Sequence, residues 1–90
     1  MKRLHMKKTI YSLVVINENM EIVGISSYTN RDAAVEALEE DYNNLLKTLE
    51  AEGWGEDDLS ENEFNEFRSY WVQYGESSYY AEIKENELED

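Results

Sequence analysis

Residues 29–53 place apolar side chains along one stripe of a helix, and this pattern constrains the fold more than any other feature of the chain. The stripe repeats at alternating spacings of three and four residues, which is typical of a helix with one buried face; its members are Val35, Leu38, Tyr42, Leu45 and Leu49. Thr29 or Asn30 is a candidate N-cap, and Gly53 is placed to end the helix. Trp54 would then pack back against the last apolar residue of the stripe.

Strand-like segments lie on both sides of this helix. Residues 9–16, TIYSLVVI, are β-branched and aromatic, and residues 21–28 follow the turn NENM as a second strand. After the helix, residues 68–84 alternate as in a hairpin, with Gly75 and Glu76 at the position of a two-residue turn. This order predicts an α+β fold, ββαββ, with a four-stranded antiparallel sheet and one long helix packed on one face.

The segment between the helix and the second hairpin, residues 55–67, is consistent with two local structures. Ser60 and Glu63 have the spacing of a capping box and would open a short helical turn. The same residues would equally form a loop that leads into an irregular strand. The sequence leaves both alternatives open.

A single helix covers one face of a sheet, so the predicted fold leaves the other face open. We expect that face to carry aromatic side chains from the first, third and fourth predicted strands, which is more than a small monomer normally exposes. A second copy or a partner protein would bury it, and a homodimer is therefore one expectation. Alternatively, the tyrosine rings lie flat on the sheet with their hydroxyls in water.

The charge of the chain is large and unevenly distributed. Its 90 residues suit a single domain and carry a net charge of −13, and its 11 aromatic residues argue against disorder. Residues 1–8 hold four bases and no acid, whereas residues 9–90 hold 21 acids and four bases. We expect one domain over 1–90, with a basic flexible start over 1–8 and an acidic tail over 85–90. Such a body repels nucleic acid and anionic membranes and attracts basic protein surfaces.

The start of the chain only faintly resembles a signal peptide. The apolar run after the basic residues is short, is interrupted by Ser12 and lacks a small-residue cleavage site. Met6 is an alternative translation start. We expect a cytoplasmic protein.

Residues that could support catalysis or bind a cofactor are few. The sole histidine, His5, lies in the basic start, and the serines have no activating base in view. Residues 55–63, GEDDLSENE, offer oxygen ligands but lack the order and the internal glycine of an EF-hand loop. The sequence therefore predicts no enzyme, no metal and no cofactor. The four bases that remain after residue 8 also argue against direct nucleic-acid binding.

The acids themselves are the candidate recognition feature. Carboxylates two residues apart on a strand are about 6.6 Å apart, and those four apart on a helix about 6 Å, which is close to the phosphate spacing along a nucleic-acid strand. Glu61 and Glu63 have the strand spacing if that segment is extended, and Glu36 and Glu40 have the helix spacing. The predicted partner-binding residues combine acids with two apolar anchors: Glu56, Asp57, Asp58, Glu61, Glu63, Glu66, Phe64 and Trp71.

The chain resembles the small acidic inhibitors of phages and other mobile elements, of the anti-CRISPR or DNA-mimic type. The resemblance lies in size, charge, the lack of cysteine and the segment EGWGEDDLSENEFNEFRSYW over residues 52–71. It implies a non-enzymatic inhibitor that binds the basic nucleic-acid groove of a partner, with a Cas9-type effector as the expected target. The alternative function is a small regulatory or structural module that dimerises through the open aromatic sheet face.

Overall fold

The computed structural model describes residues 7–89, with side chains for residues 8–87, and shows an α+β fold with five strands and one α-helix. The elements are β1 (Lys7–Asn17), β2 (Ile22–Tyr28), α1 (Arg31–Ala51), a short 3-10 helix (Glu56–Asp58), β3 (Glu61–Asn65), β4 (Ser69–Tyr74) and β5 (Ser77–Glu89). The prediction of a four-stranded ββαββ fold is wrong, because the order is ββαβββ. The strand order in the sheet is β2-β1-β5-β4-β3, and every neighbouring pair is antiparallel.

The strand missing from the prediction is β3, ENEFN, whose pairing with β4 forms one edge of the sheet. Glutamate and asparagine are depleted in strands, and this segment shows no apolar alternation because Phe64 is its only apolar side chain. Its extended conformation comes from the backbone ladder with β4 and from packing under the helix. Both are tertiary effects that the composition of five residues does not reveal.

Strand β5 also runs further than expected. Residues 85–89, predicted as an acidic tail, pair in continuous register with residues 7–11 of β1. The backbone groups of each segment are thereby satisfied by the other, which makes extension cheaper than a frayed end. Residues 1–6, with most of the predicted basic start and His5, lie outside the described residues.

Both ends of α1 follow the predicted capping rules. The side chain of Asn30 accepts a hydrogen bond of 2.7 Å from the backbone N–H two residues later. At the other end, Gly53 adopts a φ of 95°, and its N–H donates to the carbonyl of Glu50 at 3.1 Å. The N–H of Trp54 donates to the carbonyl of Leu49 at 2.8 Å, which completes the predicted Schellman motif.

The core lies between α1 and one face of the sheet, here called the helix face. Its fully buried apolar residues come from the helix and from three neighbouring strands: Leu13, Ala34, Leu38, Leu49, Tyr70, Val72 and Ala81. Tyr74 and Tyr79 pack against this core, and Tyr70 donates a hydrogen bond to the carboxylate of Asp41 on the helix. Most aromatic rings therefore lie under the helix, and the expected aromatic open face is reduced to Trp71 and Tyr80.

Candidate protein-binding surface

The predicted partner-binding residues lie on four consecutive segments of the chain, at the β3 edge of the sheet and beside it. Glu56, Asp57 and Asp58 form the 3-10 helix, and Glu61, Glu63 and Phe64 lie on β3. Glu66 lies in the turn after β3, and Trp71 lies on β4. We call the 3-10 helix together with Glu61 and Glu63 the acidic edge.

The 3-10 helix is closed by hydrogen bonds within its own turn and is joined to β4 just after its end. The carboxylate of Asp58 accepts the N–H of Gly55 at 2.8 Å, and the N–H of Asp58 returns to the carbonyl of Gly55 at 3.0 Å. Leu59 then packs against the core, and the N–H of Ser60 donates to the carbonyl of Gln73 at 2.8 Å. The capping box at Ser60 does not form, and of the two alternatives the loop that leads into a strand is correct.

Strand β3 presents its acids outward in the extended spacing. Glu61 lies opposite Gln73 of β4, and Glu63 lies opposite Trp71. Both glutamates are exposed and point to the open face of the sheet, because side chains two apart on a strand share a face. Their separation is that of alternate strand residues, about 6.6 Å, on backbone that is paired along its whole length with β4.

The alternate residues of β3 point to the helix and hold the strand in place. Phe64 is half-buried and stacks on Tyr42 with ring centroids 4.7 Å apart and an angle of 25°. The hydroxyl of Tyr42 donates to the side-chain oxygen of Asn62 at 2.5 Å. Phe64 therefore packs against the helix, whereas Trp71 stays on the open face, 37% exposed.

A cross-strand row on the open face connects the acidic edge to the opposite edge of the sheet. The pairing registers place these residues side by side from β2 to β3: Ile22, Ile16, Tyr80, Trp71 and Glu63. Sequence reasoning missed this row because it depends on strand order. Once β5 is known to lie between β1 and β4, alternation along each strand is enough to find it. The row passes from aliphatic to aromatic to acidic side chains.

Two tyrosines on the helix face of the sheet, Tyr70 and Tyr74, have raised pKa values, and both belong to or pack against the core. Burial raises the pKa of Tyr70 far above its usual range, and its hydrogen bond to Asp41 raises it further. Burial, together with the neighbouring Tyr79 side chain, raises the pKa of Tyr74 to about 12. Both phenols therefore stay protonated at neutral pH and act as structural donors rather than as acids or nucleophiles.

The acidic edge carries exposed carboxylates on paired backbone, and the partly exposed ring of Trp71 lies beside Glu63. Among the described side chains, residues 8–87, no group of three or more histidine, cysteine, aspartate or glutamate residues is arranged to hold a metal ion. Within residues 7–89, α1 is too polar and too highly charged to cross a membrane.

Comparisons with protein-family models, with curated proteins and with solved structures find no match to this chain.

Proposed function

We propose that this protein is a non-enzymatic inhibitor whose acidic edge occupies the basic nucleic-acid groove of a partner protein, in the manner of a DNA mimic. The observation that carries the proposal is the placement of Glu61 and Glu63 on an ordered edge strand, side by side and exposed. A Cas9-type effector is the first target to test, since it holds a nucleic-acid backbone in a positively charged channel and reads the PAM duplex with arginines.

Order in the acidic edge favours binding because less entropy is lost on association. Fixing the backbone of one residue in a single conformation costs about 1–2 kcal/mol. Here the β4 ladder, the Phe64–Tyr42 stack and the Asp58–Gly55 hydrogen bond fix the backbone before binding. A disordered acidic tail of equal charge would pay that cost when it binds.

The net charge of −13 also acts at long range. A strongly acidic body is steered toward a basic groove, which raises the association rate at low ionic strength and makes the rate fall as salt is added. Trp71, beside Glu63, would add apolar contact at the margin of the groove.

The test is displacement of a fluorescent duplex from a Cas9–guide RNA complex, followed by anisotropy as the protein is added. We expect competition that weakens as salt rises from about 50 to about 300 mM. The double variant Glu61→Gln, Glu63→Gln should compete at least about tenfold more weakly, a loss of about 1.4 kcal/mol. The matched control, Asp32→Asn with Glu39→Gln at exposed positions of α1, removes the same charge and should change competition less than about twofold.

Two results would end the proposal. One is the absence of displacement from this and other basic nucleic-acid effectors at any salt concentration. The other is equal loss of competition in the β3 variant and in the helix control, because that would show a general effect of net charge with no role for the acidic edge.

A further inference from the structure

The edge strand on the far side of the sheet, β2, is apolar and uncharged. Its sequence, IVGISSY, contains no charged residue, and it forms the edge opposite β3. Ile22, Val23 and Ile25 are 62%, 53% and 64% exposed, and Met20 in the preceding turn is 76% exposed. Most of the large apolar side chains exposed in the described chain are therefore concentrated at this edge.

The two edges of the sheet differ in their protection against pairing. Proteins usually protect edge strands by shortness and by charge, and β3 has both, with five residues and two glutamates. If β3 paired antiparallel with itself about Glu63, that carboxylate would lie opposite its own copy, which is destabilising. β2 has seven residues and no charge, and its pairing with β1 is irregular only near Val23, so that Gly24–Tyr28 forms a regular ladder.

We propose that β2 is a dimerisation edge, at which two copies of this chain pair their β2 strands antiparallel about Ile25. The two sheets then join into one continuous sheet of ten strands, twice the five of one copy. The interface is isologous, as in most homodimers, because the same strand contributes from each copy. It leaves the acidic edge of each copy free at the two outer ends.

A second copy suits this edge because the pairing brings no carboxylates together. About a centre at Ile25, Glu21 lies opposite Thr29 of the second copy, and the uncharged stretch 22–30 covers the whole paired length. This matters because each copy carries a net charge of −13 and repels the other elsewhere. Face-to-face packing of the open faces is disfavoured, since it would bury Glu82, which lies opposite Val14 on that face.

The contact area predicts a weak dimer. Seven residues at about 3.4 Å each give a paired length of about 24 Å, and a sheet is about 10 Å deep. This contact is small beside the roughly 800 Å² that each partner buries in a standard stable interface. We therefore expect a weak monomer–dimer equilibrium, with a dissociation constant on the order of 100 μM.

Sedimentation velocity of the full chain between about 1 and about 500 μM tests the proposal. The weight-average sedimentation coefficient should rise from that of a monomer to that of a dimer. More salt should strengthen the dimer, because it screens the repulsion between two acidic bodies. Binding to a basic groove has the opposite salt dependence, so failure of the dimer and failure of the proposed inhibition are separable.

Ile25→Lys should shift the equilibrium toward monomer by at least about tenfold in dissociation constant, because like charges then lie opposite each other. Phe67→Lys is the matched control, since Phe67 is also exposed, at 52%, and lies in the turn between β3 and β4, away from β2. The dissociation constant of the Phe67→Lys dimer should equal that of the unmodified protein. Circular dichroism checks that both variants are folded.

The chain has no cysteine, which permits a second test that does not depend on Ile25→Lys. Opposed residues of an antiparallel pair have Cα atoms about 4.5–5.5 Å apart, within the range that a disulfide accepts. Ile25→Cys should therefore form a cross-linked dimer with oxidised glutathione much faster than Glu63→Cys, placed on the other edge strand.

A chain that stays monomeric to about 500 μM overturns the proposal, and would leave β2 to a strand of another protein. Equal cross-linking at the two cysteines, or a dimer that Ile25→Lys does not weaken, also overturns it.

Discussion

Phe64 offers a way to test whether order in the acidic edge matters independently of its charge. The ring lies on the side of β3 that faces α1 and stacks on Tyr42 at a centroid distance of 4.7 Å. Phe64→Ala removes this contact and leaves every carboxylate of the edge in place. We expect a less stable protein, a β3 strand that opens more readily and weaker competition for a basic groove.

The expected loss of stability follows from the burial of the ring. Burying a Phe side chain completely is worth about 1.5–3 kcal/mol, and Phe64 is half-buried, so about 1–1.5 kcal/mol is lost from transfer. The stack with Tyr42 adds about 0.5–1.5 kcal/mol, giving a decrease of about 1.5–3 kcal/mol in the free energy of unfolding. A domain of this size has about 5–13 kcal/mol in total, so the variant should stay folded with a melting temperature lower by about 6–24 °C.

Urea unfolding followed by tryptophan fluorescence measures the global loss, and amide hydrogen exchange measures the opening of β3. Phe67→Ala is the matched control, because it deletes an equal ring that is 52% exposed only three residues away. Its free energy of unfolding should change by less than about 0.5 kcal/mol. If both variants lost equal stability, or if β3 exchanged no faster in Phe64→Ala, the view that this stack anchors the acidic edge would be refuted.

The glycines and the buried tyrosines give two further predictions. Gly75→Ala should destabilise the protein by about 1–2 kcal/mol, because φ is +57° there and a Cβ would lie 3.1 Å from the Trp54 ring. Gly24→Ala should be neutral or stabilising by up to about 1 kcal/mol, because its φ is not positive and the nearest atoms would lie 3.7 Å from the new Cβ. Urea midpoints that rank the two variants the other way would contradict this. Stability should also fall as pH rises from 10 to about 12, because the pKa of Tyr74 is raised from 10.0 to about 12 and that of Tyr70 further. The tyrosines of the unfolded chain have ordinary pKa values and ionise first as the pH rises. The stabilisation is therefore fully present below pH 10 and is lost as the pH rises through the raised pKa values of the folded state. Tyr70→Phe should flatten this dependence in urea titrations, and an unchanged slope would count against it.

The features that the sequence predicted correctly are those set by local rules. The helix has a period, an N-cap and a C-terminal glycine, and each depends on residues within a few positions of one another. The turn between β4 and β5 is equally local, since Gly75 supplies the positive φ of 57° that a tight hairpin requires. Such features can be read without knowing what lies across the sheet.

The features that were missed depend on partners distant in sequence. Strand β3 exists because β4 offers it a backbone ladder and α1 offers a surface for Phe64, and neither is visible in ENEFN itself. The assignment of faces has the same origin. Phe64 and Trp71 are equally aromatic, but register places one under the helix and the other opposite Glu63 on the open face. A one-residue shift in the register of β3 would turn Phe64 to the open face and Glu63 toward the helix.

The distribution of charge between the two edges of the sheet connects the two proposed interactions. One edge of the sheet carries carboxylates, on β3 and in the 3-10 helix before it, whereas the other edge strand, β2, carries no charged residue. A second acidic copy therefore lies beside β2 without placing carboxylates opposite one another. The same net charge of −13 then acts in opposite directions at the two surfaces. Salt weakens attraction between the acidic edge and a basic groove, and it relieves repulsion between two copies paired at β2. If both proposals hold, a salt titration should move the protein from groove binding at low ionic strength toward self-association at high ionic strength. A protein whose two interactions responded to salt in the same direction would require a different assignment of at least one surface.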